Sequence, residues 1–247
     1  MTELKENTHY IFTFGNTEVG KSSMLSSLCD FIQYSKKFQL RKNPIKNPKG
    51  NKFLRKNWLH RYRRNLFPPR SDRGVIYEID VGIQEFQEEY ILPITFLEMS
   101  GEDLMILDSM YDDEELSDLK ARFYEYIEAS KILMLVTTPS NCMDDDLTFD
   151  ELFEIFDQQS VQIPTALIIN KADELENEDK LKSYVSTNMP NTFKWMYKVG
   201  ANSPTKVFAY STGIPDLDDP ELYTIKQKNH KEYAPKLLHW IYELLEL

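Results

Sequence analysis

Apolar residues along the chain fall into two patterns: short dense runs, and longer stretches where they recur every three or four positions. "HYIFTF" (9–14), "GVIYEIDVGI" (74–83), "YILPITFLEM" (90–99), "KILMLVTTP" (131–139), "PTALIINKAD" (164–173) and "KVFAYST" (206–212) are of the first kind and read as strands. Residues 21–38 are of the second kind, with Met24, Leu25, Leu28, Phe31 and Ile32 on one helical face. So are residues 113–129, "DDDLTFDELFEIFDQQ" (144–159), a region after residue 173, and "KEYAPKLLHWIYELLEL" (231–247), where Pro235 fits a first turn. Strands alternating with helices predict a mostly parallel sheet covered on both faces. The polar "QEFQEE" between the second and third strands is short enough for a hairpin, so one strand runs against the rest. The expectation is a single α/β domain over 1–247, with a six-stranded, mostly parallel sheet and one antiparallel strand. There is no internal repeat.

One segment breaks the rhythm. Residues 36–73 hold fourteen lysines and arginines against one acid, Asp72, leaving 15 of the 29 basic and 39 of the 40 acidic residues elsewhere. Pro44, Pro48, Gly50, Pro68 and Pro69 interrupt it, and "RKNWLHRYRRNLF" could form one short helix inside it. Phe53, Trp58, Tyr62 and Phe67 are interleaved with the charges, so stacking on nucleic acid is one reading of this basic insert. An anionic lipid surface, an acidic protein partner and a solvated loop are others.

Composition changes the picture little. With 41% hydrophobic residues the chain can bury a full core, and no apolar run approaches the roughly 18 residues that span a membrane. The polar start "MTELKENTHY" lacks an apolar signal core, and Cys29 and Cys142 make no disulfide framework, so a cytoplasmic protein with reduced thiols is expected. His9, His60, His230 and His239 show no ligand spacing. Asp144, Asp145 and Asp146 stand before a helix, where acids complement the dipole.

The chemistry is concentrated in two motifs. Gly15-Asn16-Thr17-Glu18-Val19-Gly20-Lys21-Ser22 matches G-x-x-x-x-G-K-[ST] between a strand and a helix, with Ser23 following. Glycines let such a loop turn its N–H groups onto phosphate oxygens at a helix N-terminus; Lys21 would reach the β- and γ-phosphates and Ser22 would meet Mg²⁺. Asn170-Lys171-Ala172-Asp173 follows a buried strand. A carboxylate there accepts guanine N1–H and the exocyclic amine, a donor pair that adenine lacks. Asn170 would bond the base edge and the Lys171 stem would cover the ring.

With these motifs, residues 9–247 resemble a Ras-like GTPase domain of the translation-factor-related P-loop class. The "SGED" turn and the long first switch are similar to the prokaryotic "double-GTPase" type of conflict-associated G domains. The resemblance implies a G-domain fold binding GTP or GDP with Mg²⁺, and a loop at Ser211-Thr212 backing the guanine. It places Glu98-Met99-Ser100-Gly101 at the D-x-x-G position, with Glu98 on the metal side and Gly101 sensing the γ-phosphate. Glutamate stands there in place of the family's aspartate. Glu102 occupies the place of the water-orienting glutamine, and Ser71 that of the switch hydroxyl, beside Arg70 and Arg73. The implied activity is a GTPase switch with a protein effector or activator. A hydrolysis-deficient scaffold is the alternative, favoured by Glu98 and Glu102; an ATP-using protein is a third reading, which Asn170 and Asp173 oppose.

Overall fold

The computed structural model describes residues 4–41, 58–69, 72–86, 88–100, 103, 114–158, 162–175, 180–216 and 224–246. In chain order these form β1 (His9–Phe14), α1 (Lys21–Tyr34), β2 (Phe38–Arg41), α2 (His60–Arg63), β3 (Ile76–Glu85), β4 (Leu92–Met99), α3 (Glu114–Ala129) and β5 (Ser130–Thr137). There follow α4 (Cys142–Gln158), β6 (Thr165–Ile169), α5 (Leu181–Asn188), α6 (Pro190–Val199), β7 (Thr205–Ala209), a ribbon of β8 (Ile214–Pro215) and β9 (Ile225–Gln227), and α7 (His230–Leu245).

The main sheet has the order β2-β3-β4-β1-β5-β6-β7. β3 runs against both of its neighbours and the other pairings are parallel. The architecture is therefore the expected mixed α/β one, with a single antiparallel strand among the described residues, but those residues form a sheet of seven strands. The added strand, β2, lies inside the basic insert, where a helix was expected to run on to Phe38. Ser35 stops that helix: its backbone is extended (φ −65°, ψ 146°), and its hydroxyl accepts the N–H groups of Lys37 and Phe38 at 3.1 and 3.2 Å.

Side chains on a strand alternate between faces, and this divides the core. β1 and β5 send Ile11, Ile132, Met134 and Val136 to one face, beneath Met24, Leu25 and Leu28 of α1 and Leu237, Leu238 and Ile241 of α7. Tyr10, Phe12, Phe14, Leu133 and Leu135 go to the other, beneath Phe123 of α3, Phe149 and Phe153 of α4 and Trp195 of α6. Each fully buried side chain of this size contributes ~1.5–3 kcal/mol relative to exposure. The parallel strands bring the segments that follow β1, β5, β6 and β7, and the end of β4, to one edge of the sheet, the usual ligand edge of an open α/β sheet.

Part of the basic insert is built into this core. Trp58 and Tyr62 are both fully buried, so neither can stack on a nucleic acid, and the expectation that they might is corrected. Apolar spacing along Trp58, Leu59 and Tyr62 turns these residues inward and leaves His60, Arg63 and Arg64 exposed. The insert then joins the ribbon, with Ile225 N–H bonded to Asn65 O at 2.6 Å and a bridge between Leu66 and Thr224. Tyr62 hydroxyl donates to Thr212 O at 2.8 Å and meets His230 Nδ1 at 2.8 Å. Tyr62→Phe leaves those two buried groups short of a partner, at about 2 kcal/mol. A fall in Tm of about 4–8 °C in calorimetry is expected; an unchanged Tm would mean that this hydroxyl holds nothing.

α7 also begins earlier than expected. Its first turn opens at Asn229, whose carbonyl accepts Glu232 N–H at 3.0 Å, which places Pro235 inside the helix and not in its first turn. Buried His230, held by Tyr62, fixes that earlier start.

Candidate nucleotide-binding site

The loop after β1 is shaped by two glycines. Gly15 has φ +155°, and a Cβ there would stand 2.2 Å from Val136 O. Gly20, the N-cap of α1, has φ +84°, and its Cβ would stand 2.5 Å from Asn170 Nδ2. Both positions require a left-handed or strained backbone together with close approach, which only glycine supplies. Lys21 begins α1 and folds back over the loop, donating to Gly15 O at 2.8 Å and Asn16 O at 3.0 Å. Burial pushes its ammonium below the usual lysine value, opposed by Glu98, Asp145 and Asp103.

Ser22 hydroxyl donates to Glu98 Oε1 at 3.1 Å. Glu98 is 1% exposed at the end of β4, so this glutamate does reach Ser22 at the start of α1. A hydroxyl and a carboxylate oxygen this close suit a hard cation such as Mg²⁺, completed by phosphate oxygens and water. Among the described residues there is no cluster of three or more His, Cys, Asp or Glu side chains able to hold a metal by themselves.

The base side forms on β6 and β7. Lys171 adopts a left-handed conformation (φ 54°, ψ 43°), a strain of about 1 kcal/mol, and a 3-10 turn follows over Ala172–Glu174. Ala172 N–H bonds Tyr210 O at 2.9 Å, docking the turn on the end of β7. Asn170 is 3% exposed and donates through Nδ2 to Val19 O at 2.8 Å, coupling the base turn to the phosphate loop. Its Oδ1 has no protein partner among the described residues. Asp173 accepts Ser211 hydroxyl at 2.5 Å, and Asn229 Nδ2 reaches that same hydroxyl at 3.4 Å. The loop after β1 and the turn at residues 170–173 thus line one cavity of about 510 Å³, shared by Thr17, Glu18, Ser23, Ser100 and Thr212 and walled by Phe67, Pro68 and Pro69. That volume lies in the range of small-ligand sites.

The structure brings the expected phosphate, base and Ser211-Thr212 residues together. Ser71, Gly101, Glu102 and Arg70 lie outside the described residues. Three acids matter in ways the sequence did not reveal. Asp103, fully buried, accepts Gly74 N–H through both oxygens at 3.0 and 2.9 Å, tying the end of β4 to the start of β3. Burial raises its carboxyl, while Gly74 N–H, Arg73 and Lys21 oppose that. Asp146 accepts the N–H groups of Asn191 and Thr192 at 3.1 and 2.8 Å, capping α6 from outside. Asp145 is also buried; its Oδ1 accepts Asn16 Nδ2 at 2.5 Å and its Oδ2 accepts the Thr137 hydroxyl. Complementing the dipole of α4 is therefore not what these last two carboxylates chiefly do, and Asp144 alone remains exposed there.

No family model matches the chain, and no curated protein matches it. Among solved structures it is similar to the GDP-bound RocCORdC of Roco2 from Methanosarcina barkeri, at 13% identity and a TM-score of 0.46. That alignment covers 100% of this chain and 53% of the other, so the chain spans about half the length of that relative. It is also similar to a structure named for nucleolar GTP-binding protein 1 from Plasmodium falciparum, at 11% identity and a TM-score of 0.48, covering 100% of this chain and 90% of that one. Identities this low leave the assignment of the site to the geometry of this chain's own residues. Among the described residues no helix is long and apolar enough to cross a membrane.

Proposed function

We propose that the chain binds guanine nucleotides with Mg²⁺ and hydrolyses GTP as a GTP/GDP switch. The observation that carries this reading is the docking of Asn170 on Val19 O, which sets a carboxylate-bearing base turn against a lysine-bearing phosphate loop in one cavity. Loop N–H groups and Lys21 take the phosphates, Asp173 reads the guanine edge, and Ser211 holds Asp173 in place. Ser22 and Glu98 would hold Mg²⁺, which neutralises charge on the phosphate oxygens. Exposed Arg64, next to Arg63 (which also pairs with Asp30), gives the folded end of the insert a basic surface for an anionic partner.

A hydrolysis-deficient binding module is the second reading. Glu18, Glu98 and Glu174 line the cavity beside Lys21 and Lys171, an acid load that opposes the negative charge spread over the phosphoryl oxygens during transfer and so would slow turnover of a bound nucleotide. Single-turnover hydrolysis of bound GTP with Mg²⁺, after competition against ATP, separates the two. Turnover that disappears in Lys21→Ala supports the switch. Tight GTP binding without turnover supports the module, and equal competition by ATP sinks both.

A further inference from the structure

Resting on the guanine-nucleotide reading, we propose that Asp145 is a positioning residue for the phosphate loop. It holds Asn16 and, through Asn16, Lys21, so that nucleotide affinity falls when this carboxyl takes up a proton.

The argument starts from its burial. Asp144, one residue earlier in the first turn of α4, is exposed, whereas Asp145 is fully buried. Burying a carboxylate is costly unless its oxygens are satisfied, and here both are. Oδ1 accepts the Asn16 amide at 2.5 Å and Oδ2 accepts the Thr137 hydroxyl at the end of β5. The same Asn16 amide reaches Thr148 Oγ1 at 3.2 Å, so α4 holds this side chain from two positions. Asn16 O in turn accepts Lys21 Nζ at 3.0 Å. A continuous path therefore runs from β5 and α4 through Asn16 to the ammonium that would meet the phosphates, and Asp145 also counters that ammonium electrostatically.

The carboxyl is poised to titrate. Burial raises it to about 6, while Thr137, Asn16 and Lys21 on α1 pull it down and Asp144 on its own helix pushes it up. The neighbouring Cys142 thiol, itself raised by burial, stays neutral. A proton on Oδ1 faces the Asn16 amide with a donor and breaks that bond; a proton on Oδ2 only reverses the bond to the Thr137 hydroxyl, but it strips the bond to Asn16 of its charge, and in either case Lys21 loses a counter-charge. The ionised form, and with it the hold on the loop, is present above pH 6 and lost below it. Stability moves in the opposite sense. The folded carboxyl lies above its ordinary value, so ionisation at neutral pH costs the fold something, and removing the charge does not lower the Tm there.

The test is equilibrium titration with a fluorescent GDP analogue and Mg²⁺ from pH 5 to 7.5, comparing the unaltered chain with Asp145→Asn. Asparagine cannot ionise, and the titration of the nucleotide's own phosphate cancels in the ratio of the two Kd values. That ratio should be about tenfold at pH 7.5 and approach one by pH 5, with the Tm of the nucleotide-free variant at pH 7.5 undiminished. Asn16→Ala breaks the same path from the other side; its ratio should collapse over the same pH range, and this variant serves if Asp145→Asn does not fold. A ratio that stays flat with pH, or is near one at pH 7.5, while the unaltered chain binds GDP, overturns the proposal alone. No GDP binding by the unaltered chain overturns the guanine reading and this proposal together.

Discussion

Asp173→Asn lowers affinity for GDP on the order of 10²–10³-fold and raises affinity for XDP. On the proposed reading the carboxylate accepts two guanine N–H groups, and hydrogen bonds to a charged acceptor contribute ~1.5–3 kcal/mol each; a loss of about 3–4 kcal/mol, between one such bond at its strongest and both at moderate strength, gives that range. The gain for XDP follows from the same geometry. Xanthine carries an oxygen where guanine has its amine, and the asparagine amide can donate to it. Ser211 keeps the new side chain in register, because its hydroxyl can donate to the amide oxygen as it now does to Asp173 Oδ1. Competition titrations with GDP, XDP and ADP check this. Loss of GDP binding without a gain for XDP would show that Asp173 supports the turn and does not read the base.

How much of this site could be read from the sequence depends on how far apart its parts lie. The phosphate loop is contiguous, and its chemistry is local: glycine conformation, backbone N–H groups and a helix start. The base turn is likewise four residues long. Glu98 was singled out by its distance before Gly101, and the structure sets it buried beside Ser22. What was hidden are contacts between residues far apart in sequence. Asn16 and Asp145 are separated by 129 positions, and Tyr62 and Thr212 by 150. No periodicity reports such pairs, and three adjacent aspartates at the start of a helix look the same in the sequence whether they complement a dipole or point inward. β2 was missed for a different reason. Four residues give too few alternations to outweigh the helical pattern before them, and Ser35 ends that helix through a local side-chain bond. Asp103 carries no signal of its own in the sequence, because its partner, the Gly74 N–H, lies 29 positions away.

The two loop glycines separate folding from recognition. Gly15→Ala puts a methyl group 2.2 Å from the backbone carbonyl of Val136, in the strand next to β1, and nothing there can rotate aside. Overpacking and backbone strain together cost about 4 kcal/mol, a fall in Tm of about 8–16 °C. Gly20→Ala also meets a left-handed backbone, but the atom in its way is Asn170 Nδ2, the end of a side chain. That amide can move only by giving up its bond to Val19 O, the contact that docks the base turn on the phosphate loop. The strain costs about 1 kcal/mol, a fall in Tm of about 2–4 °C, while the displaced Asn170 should weaken GDP about 10²-fold. Calorimetry and GDP titration on both variants resolve the matter. A Gly20→Ala chain that keeps full GDP affinity would mean that Asn170 couples the two halves of the site only in the absence of nucleotide, whereas a large fall in Tm with intact affinity would move Gly20 from recognition to the fold.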